Sequence, residues 1–272
     1  MQSLSRAVSS LAAITVLALA GVATPSAHAA AAGTGYAALG DSYSSGVGAG
    51  AYIDGSGDCK RSNNAYPVLW NKAHPAADFA FAACSGATTG DVLANQLSVL
   101  NDTTSLVTIS IGGNDVGFPD IIKTCVLGGD KECADAVAKG ETYARDTLPA
   151  ALDDTYARIR EHAPSADLVV LGYPRLFELG GCFLGLSESK RKVLNGASDT
   201  LTGIISGRAA AAGGRFADVR DEFAGHGVCA SDAWLHGVTL PVGDSYHPTD
   251  AGHSKGYLPA LTETAGRVRA GA

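Results

Sequence analysis

LVTISIGGND, residues 106–115, opens as a run of strand-forming residues and closes on Gly112, Gly113, Asn114 and Asp115. Runs of similar length recur along the chain: GYAALG at 35–40, FAFAA at 79–83, DLVVLGY at 167–173 and a weaker RFADVR at 215–220. Most lack regular apolar–polar alternation, which marks strands buried on both faces. Segments of helical spacing lie between them. Leu93, Leu97 and Leu100 form a stripe after Asp91. Residues 134–162 carry Leu148, Leu152, Tyr156 and Ile159 on one face, with Pro149 placed to break or kink the helix. A further helix is expected over 187–212, and a last one after Pro248. Strands alternating with helices imply parallel pairing through right-handed crossovers. The expected fold is a three-layer α/β/α domain with about five parallel strands.

The first 29 residues read differently. Arg6 precedes an apolar run from Leu11 to Val22, followed by Ala27-His28-Ala29. That is the layout of a secretory signal peptide cleaved after Ala29, and the run is short for a membrane span. Residues 30–272 are then expected to form one domain of a secreted, extracellular protein, long enough for a full core. The 272-residue chain has a formal net charge of −7, and loss of Arg6 makes it one unit more negative. An acidic chain without a basic cluster is a poor nucleic-acid binder. All six cysteines, at 59, 84, 125, 133, 182 and 229, lie beyond the leader. An even count in an exported protein reads as three disulfides. Six cysteines allow fifteen pairings; the expectation is neighbour pairing, Cys59–Cys84, Cys125–Cys133 and Cys182–Cys229. No C-x-x-C or H-x-x-x-H spacing supports zinc instead.

In open α/β sheets, ligands bind at the carboxyl ends of strands. Gly40-Asp41-Ser42 follows the first strand, Cys84-Ser85-Gly86 the second, and Gly112-Gly113-Asn114-Asp115 the third. A serine at such a turn presents a hydroxyl beside backbone N–H groups not yet used by a helix. Gly86 lets its N–H approach a ligand closely, and the Asn114 amide can enter the same space. Singly, each fits a plain turn or helix cap. Together, the Ser42 N–H, Gly86 N–H and Asn114 amide make a three-donor oxyanion hole. Gly-Asp-Ser-Tyr recurs at 243–246, followed by His247 and Pro248. Proline keeps His247 out of the helical region and starts the helix just beyond it. Asp244, three residues earlier, has spacing that can orient the imidazole. His74 and His162 read as helix-end residues and His253 as structural. The glycine-rich stretch 46–57 contains a weak dinucleotide fingerprint, G-x-G-x-x-A, but sits past the strand end without the required helix.

GDSYS at 40–44, Gly86 in CSGATTGD, GGND at 112–115 and DSYHP at 244–248 occur in that order. On these blocks, and on its cysteine spacing, the chain resembles the SGNH, or GDSL, hydrolase family, and within it the secreted actinomycete lipases, esterases and phospholipases. The resemblance spans nearly all of residues 30–272. It implies a flavodoxin-like strand order, Ser42 as nucleophile, His247 as general base, and Ser42, Gly86 and Asn114 as oxyanion donors. It also supports the neighbour pairing of the cysteines. The elbow G-x-S-x-G is absent, since residue 44 is Ser, which disfavours the α/β-hydrolase fold. Relatives of this type orient the histidine by an acid or by a main-chain carbonyl. Asp244 and the Ser245 carbonyl both stand as partners.

The expected function is ester hydrolysis on acyl lipids through an acyl-Ser42 intermediate, as a lipase, esterase or phospholipase, with no cofactor and no metal. The partners expected are an ester or lipid substrate and a transient lipid interface, met by a monomer. Tyr43, Phe118, Phe177, Phe183 and Leu184 are candidates for the pocket wall. A carbohydrate O-acetyl esterase shares the same chemistry, and a non-catalytic secreted binding protein is the alternative outside enzymes.

Overall fold

A computed structural model describes residues 34–182 and 185–266. The leader assigned to residues 1–29 lies outside the described residues. The strands are β1 (Gly35–Gly40), β2 (Asp78–Phe81), β3 (Thr104–Ser110), β4 (Asp167–Leu171) and β5 (Arg215–Ala217). They form one parallel sheet in the order β2-β1-β3-β4-β5. Strand β1 is buried along its whole length, whereas β2 at the edge is only partly covered. That difference explains why GYAALG carries no polar residue and Asp78 is tolerated at the start of β2.

The helices are α1 (Ser42–Ser45), α2 (Tyr66–Ala73), α3 (Thr89–Asn95), α4 (Phe118–Leu127), α5 (Asp130–Asp146), α6 (Leu148–His162), α7 (Glu188–Ala211) and α8 (Leu258–Gly266). A π-helical segment, Gly252–Tyr257, leads into α8. The single helix expected over 134–162 is two. Thr147 caps α5, and Pro149 falls in the first turn of α6, where its missing N–H costs nothing. Helices α1, α2 and α4 were not anticipated. The four residues of α1 and the Pro-containing starts of α2 and α4 offer too little periodicity to read.

Leu39, Ile109, Leu168 and Leu171 from the sheet, and Ile111 just past β3, share one core with Leu148, Leu152, Ile159 and Ile205 from α6 and α7, all fully buried. Disulfides join Cys59 to Cys84, Cys125 to Cys133 and Cys182 to Cys229. Strand order matters most for function. The chain leaves β1 toward β2 on one side and reaches β3 on the other, so the direction of winding reverses between β1 and β3. Their carboxyl ends therefore border a crevice open to ligands.

Candidate active site

Ser42 stands at that crevice. Asp41 ends the strand in an extended conformation and caps α1, its Oδ1 accepting from the Tyr43 N–H at 3.0 Å. With the carboxylate taken by Tyr43, the Ser42 N–H has no acceptor among the described residues. The Ser42 Oγ lies 2.8 Å from Nε2 of His247, although 205 positions separate them in sequence.

His247 is held by the loop before it. Its Nδ1 lies 3.0 Å from the carbonyl oxygen of Ser245. A carbonyl only accepts, so Nδ1 carries the hydrogen, and Nε2 of the neutral ring is left to accept from the serine hydroxyl. Tyr246 adopts a left-handed conformation, φ 61°, which costs on the order of 1–3 kcal/mol outside glycine. The turn is secured from three directions. The Tyr43 hydroxyl donates to the Tyr246 carbonyl at 2.7 Å. The backbones of His236 and of residues 246 and 247 exchange hydrogen bonds of 3.0 Å. The glycine-rich loop packs behind, where a Cβ on Gly48 would fall 2.7 Å from the Pro248 carbonyl. Burial, the largest influence, pushes the His247 imidazole down to about 4.

Asp244, expected from its spacing to orient the imidazole, points elsewhere. Its carboxylate pairs with Lys60 Nζ at 3.4 Å, and among the described residues it makes no hydrogen bond to His247. The reason is the short 3-10 turn Val242–Asp244. It turns the Asp244 carbonyl, not its side chain, toward the His247 N–H, at 3.3 Å. The main-chain alternative, Ser245, occupies the place at Nδ1.

Gly86 and Asn114 meet across the crevice. Gly86 has φ 81°, and its N–H has no acceptor among the described residues. Its segment is fixed from behind by the Cys59–Cys84 disulfide and by the Ser85 N–H donating to the Cys59 carbonyl at 3.1 Å. Just beyond, Thr88 and Asp91 form a reciprocal capping box at α3. Asn114 Nδ2 donates to the Ala87 carbonyl at 2.9 Å. That bond uses one of two amide hydrogens and sets the orientation of the other. Asp115 strengthens the junction by accepting from the N–H and hydroxyl of Thr89.

Tyr173 was missed. It follows β4, so the rule of strand ends pointed to it, but tyrosine there reads equally as core. Its hydroxyl donates to Asp41 Oδ2 at 2.5 Å and accepts from the Gly113 N–H at 3.1 Å. One phenol thus ties the serine turn to the loop that carries Asn114. Burial raises the Asp41 carboxyl to about 7, against the opposing pull of the Tyr173 hydrogen bond.

Ser42, Gly86, Asn114 and His247 all line one cavity of about 610 Å³, whose walls are mainly apolar. Phe118 and Ile122 of α4, Val137 and Ala144 of α5, and Leu194 and Leu201 of α7 extend it away from the serine. Of the wall candidates, Tyr43 and Phe118 line this cavity. Phe177 is instead buried against Tyr246, with ring centroids 5.7 Å apart. Phe183 and Leu184 lie outside the described residues. His74 caps α2 and His162 ends α6. His253 is fully buried, its Nδ1 accepting from the Tyr66 N–H at 3.3 Å. Among the described residues, no group of three His, Cys, Asp or Glu side chains is placed to hold a metal ion.

Lipase 1 of Streptomyces coelicolor is 55% identical over 249 residues, 91% of this chain and 93% of that protein. The crystal structure of an extracellular lipase from Streptomyces rimosus superposes with a TM-score of 0.83 at 54% identity, covering 85% of this chain and 99% of the other. That of phospholipase A1 from Streptomyces albidoflavus gives 0.84 at 52% identity, covering 86% and 100%. Residues 38–255 match the GDSL-like Lipase/Acylhydrolase family, to which this chain belongs.

Proposed function

We propose that this chain is an acyl-lipid ester hydrolase acting outside the cell through Ser42 and His247. The observation that carries the reading is the 2.8 Å contact between Ser42 Oγ and His247 Nε2 on the wall of a mainly apolar cavity. As Ser42 attacks the ester carbonyl, Nε2 takes the hydroxyl proton, and the imidazolium is stabilised through Nδ1–H by the Ser245 carbonyl. Negative charge develops on the former carbonyl oxygen. The N–H groups of Ser42 and Gly86 and the spare Asn114 hydrogen are the donors for it, each contributing about 2.7–4 kcal/mol in sites of this kind. The imidazolium then protonates the leaving alcohol. A water molecule, activated by the same Nε2, releases the acid from Ser42.

The cavity favours a long acyl chain over acetate. An acetyl group needs room for one methyl, and an O-acetyl esterase has no use for a wall of apolar residues running between α4, α5 and α7. A phospholipid and an acylglycerol present the same acyl ester to Ser42, so either suits the site. The names of the Streptomyces relatives, lipase and phospholipase A1, support the acyl-lipid reading.

The test is a serine-reactive fluorophosphonate, with the modified peptide mapped by mass, followed by a series of p-nitrophenyl esters. Label on Ser42, lost in His247→Ala, and kcat/KM rising from acetate to medium and long chains are the expected results. Label on Ser245, or a preference for acetate, overturns the assignment.

A further inference from the structure

Large apolar side chains exposed to solvent are not scattered over this molecule. Of eight among the described residues, five fall on two segments: Val126 and Leu127 at the end of α4, and Val238, Leu240 and Val242 in the loop before His247. Leu240 is 84% exposed and Leu127 75%. Four of the five, all but Leu240, also belong to the wall of the catalytic cavity. The two segments therefore form an apolar rim continuous with the lining that leads to Ser42.

We propose that this rim is a docking surface for aggregated lipid, with the loop Val238–Val242 entering the acyl layer around the cavity mouth. The proposal rests on the ester-hydrolase reading for the origin of its occupant. Acyl lipids pack into micelles and bilayers, and a chain must leave that layer to reach Ser42. A rim that displaces water at the mouth gives it an apolar path. The chemistry of the patch selects the kind of surface. Lys60 nearby is paired with Asp244, and the whole chain is acidic. Lys123 is the one lysine or arginine among the residues lining the cavity; with no cluster of cations there among the described residues, binding relies on apolar burial and fits a zwitterionic or uncharged surface better than an anionic one. The loop is also braced against the base. The Thr239 N–H donates to Ser245 Oγ at 3.0 Å, and the Ser245 carbonyl holds His247 Nδ1. Contact with lipid is thereby made by the same short segment that orients the imidazole.

Leu240 separates docking from catalysis, because it is exposed and lies outside the cavity wall. Flotation with phosphatidylcholine vesicles is measured in Ser42→Ala, so that no turnover alters the membrane. This parent is expected to float, and adding Leu240→Ser to lower its partition about tenfold, as loss of one buried leucine implies. Leu240→Trp should float like the parent and shift its emission to the blue. With Ser42 intact, Leu240→Ser should keep kcat/KM for a soluble acetate ester within about twofold while losing about tenfold on vesicles. A parent that fails to float, or a Leu240→Ser variant that floats equally well, overturns the proposal. So does sedimentation showing that the rim joins two copies of the chain and that vesicles do not compete. Flotation together with inertness toward every ester would uphold docking and sink the hydrolase reading instead.

Discussion

Nδ1 of the His247 imidazole faces the Ser245 carbonyl at 3.0 Å, two residues back along the same loop. In the proposed mechanism the partner that orients the base is therefore main chain, and no side-chain substitution deletes it. Asp244→Asn should cost less than about tenfold in kcat, where loss of a triad aspartate costs about 10⁴. Steady-state kinetics on a soluble ester decides between the two, and a drop near 10⁴ would return Asp244 to the role its spacing suggested.

The pH dependence follows from burial. Only neutral His247 accepts the serine proton, and its imidazole is pushed down to about 4 from an ordinary value near 6.5. The acid limb of kcat/KM should accordingly fall near pH 4. A limb at about 6.5 would show that the ring is solvated in the free enzyme.

Stability should also carry the mark of buried imidazoles. His253, fully buried, is lowered to about 3. Between about pH 6.5 and those lowered values, the unfolded chain binds protons that the folded His247 and His253 refuse. Their contribution is thus present above pH 6.5 and lost as pH falls toward 3. Asp41 acts in the opposite sense, because its raised carboxyl binds a proton more tightly in the folded state below about 7. His253→Gln keeps an acceptor for the Tyr66 N–H and removes one imidazole. Urea unfolding at pH 7 and pH 4.5 should show a smaller acid loss in that variant than in the parent.

Asn114→Ala removes a donor aimed at the developing oxyanion and should lower kcat by about 10²–10³ with KM little changed. Tyr173→Phe removes no donor to substrate, but frees Asp41 from Gly113. It should lower kcat less than Asn114→Ala does. An equal or larger effect on KM in either variant would place these residues in ground-state binding instead.

The Cys59–Cys84 bridge offers a test of positioning by covalent structure. Replacing both cysteines by serine should cost about 2–4 kcal/mol of stability. It should also reduce kcat at temperatures where the protein remains folded, because Gly86 lies two residues past Cys84. A variant destabilised but fully active would mean that the capping box at α3 is enough to hold Gly86.

Much of this architecture was readable from residue order, and for identifiable reasons. Strands β1, β3 and β4, largely buried, leave apolar runs that cannot be mistaken for loops; the partly covered β2 and the short β5 are legible from FAFAA and the weaker RFADVR, and strand ends differ by up to three residues. The site followed because Ser42, Gly86 and Asn114 each come within a few residues of a strand end, where the winding rule gives position a meaning. His247 was legible through Pro248. What escaped depended on side-chain direction. Asp244 has suitable spacing, yet its turn sends the carboxylate to Lys60. Tyr173 reads as a core residue and Tyr43 as a candidate for the pocket wall, and both are buried. Their hydroxyls, however, reach Tyr246 and Asp41 across more than a hundred positions each, distances that no local pattern encodes.

The hydrogen bond from Tyr43 to the Tyr246 carbonyl has a consequence for the order in which this protein comes into being. A chain made from its amino terminus carries its nucleophile early and waits 203 more residues for the loop that seats the base. Until that late segment docks, Ser42 has no imidazole beside it and the apolar rim has not closed around the cavity. On the proposed mechanism, hydrolytic competence therefore arrives only with the last part of the fold.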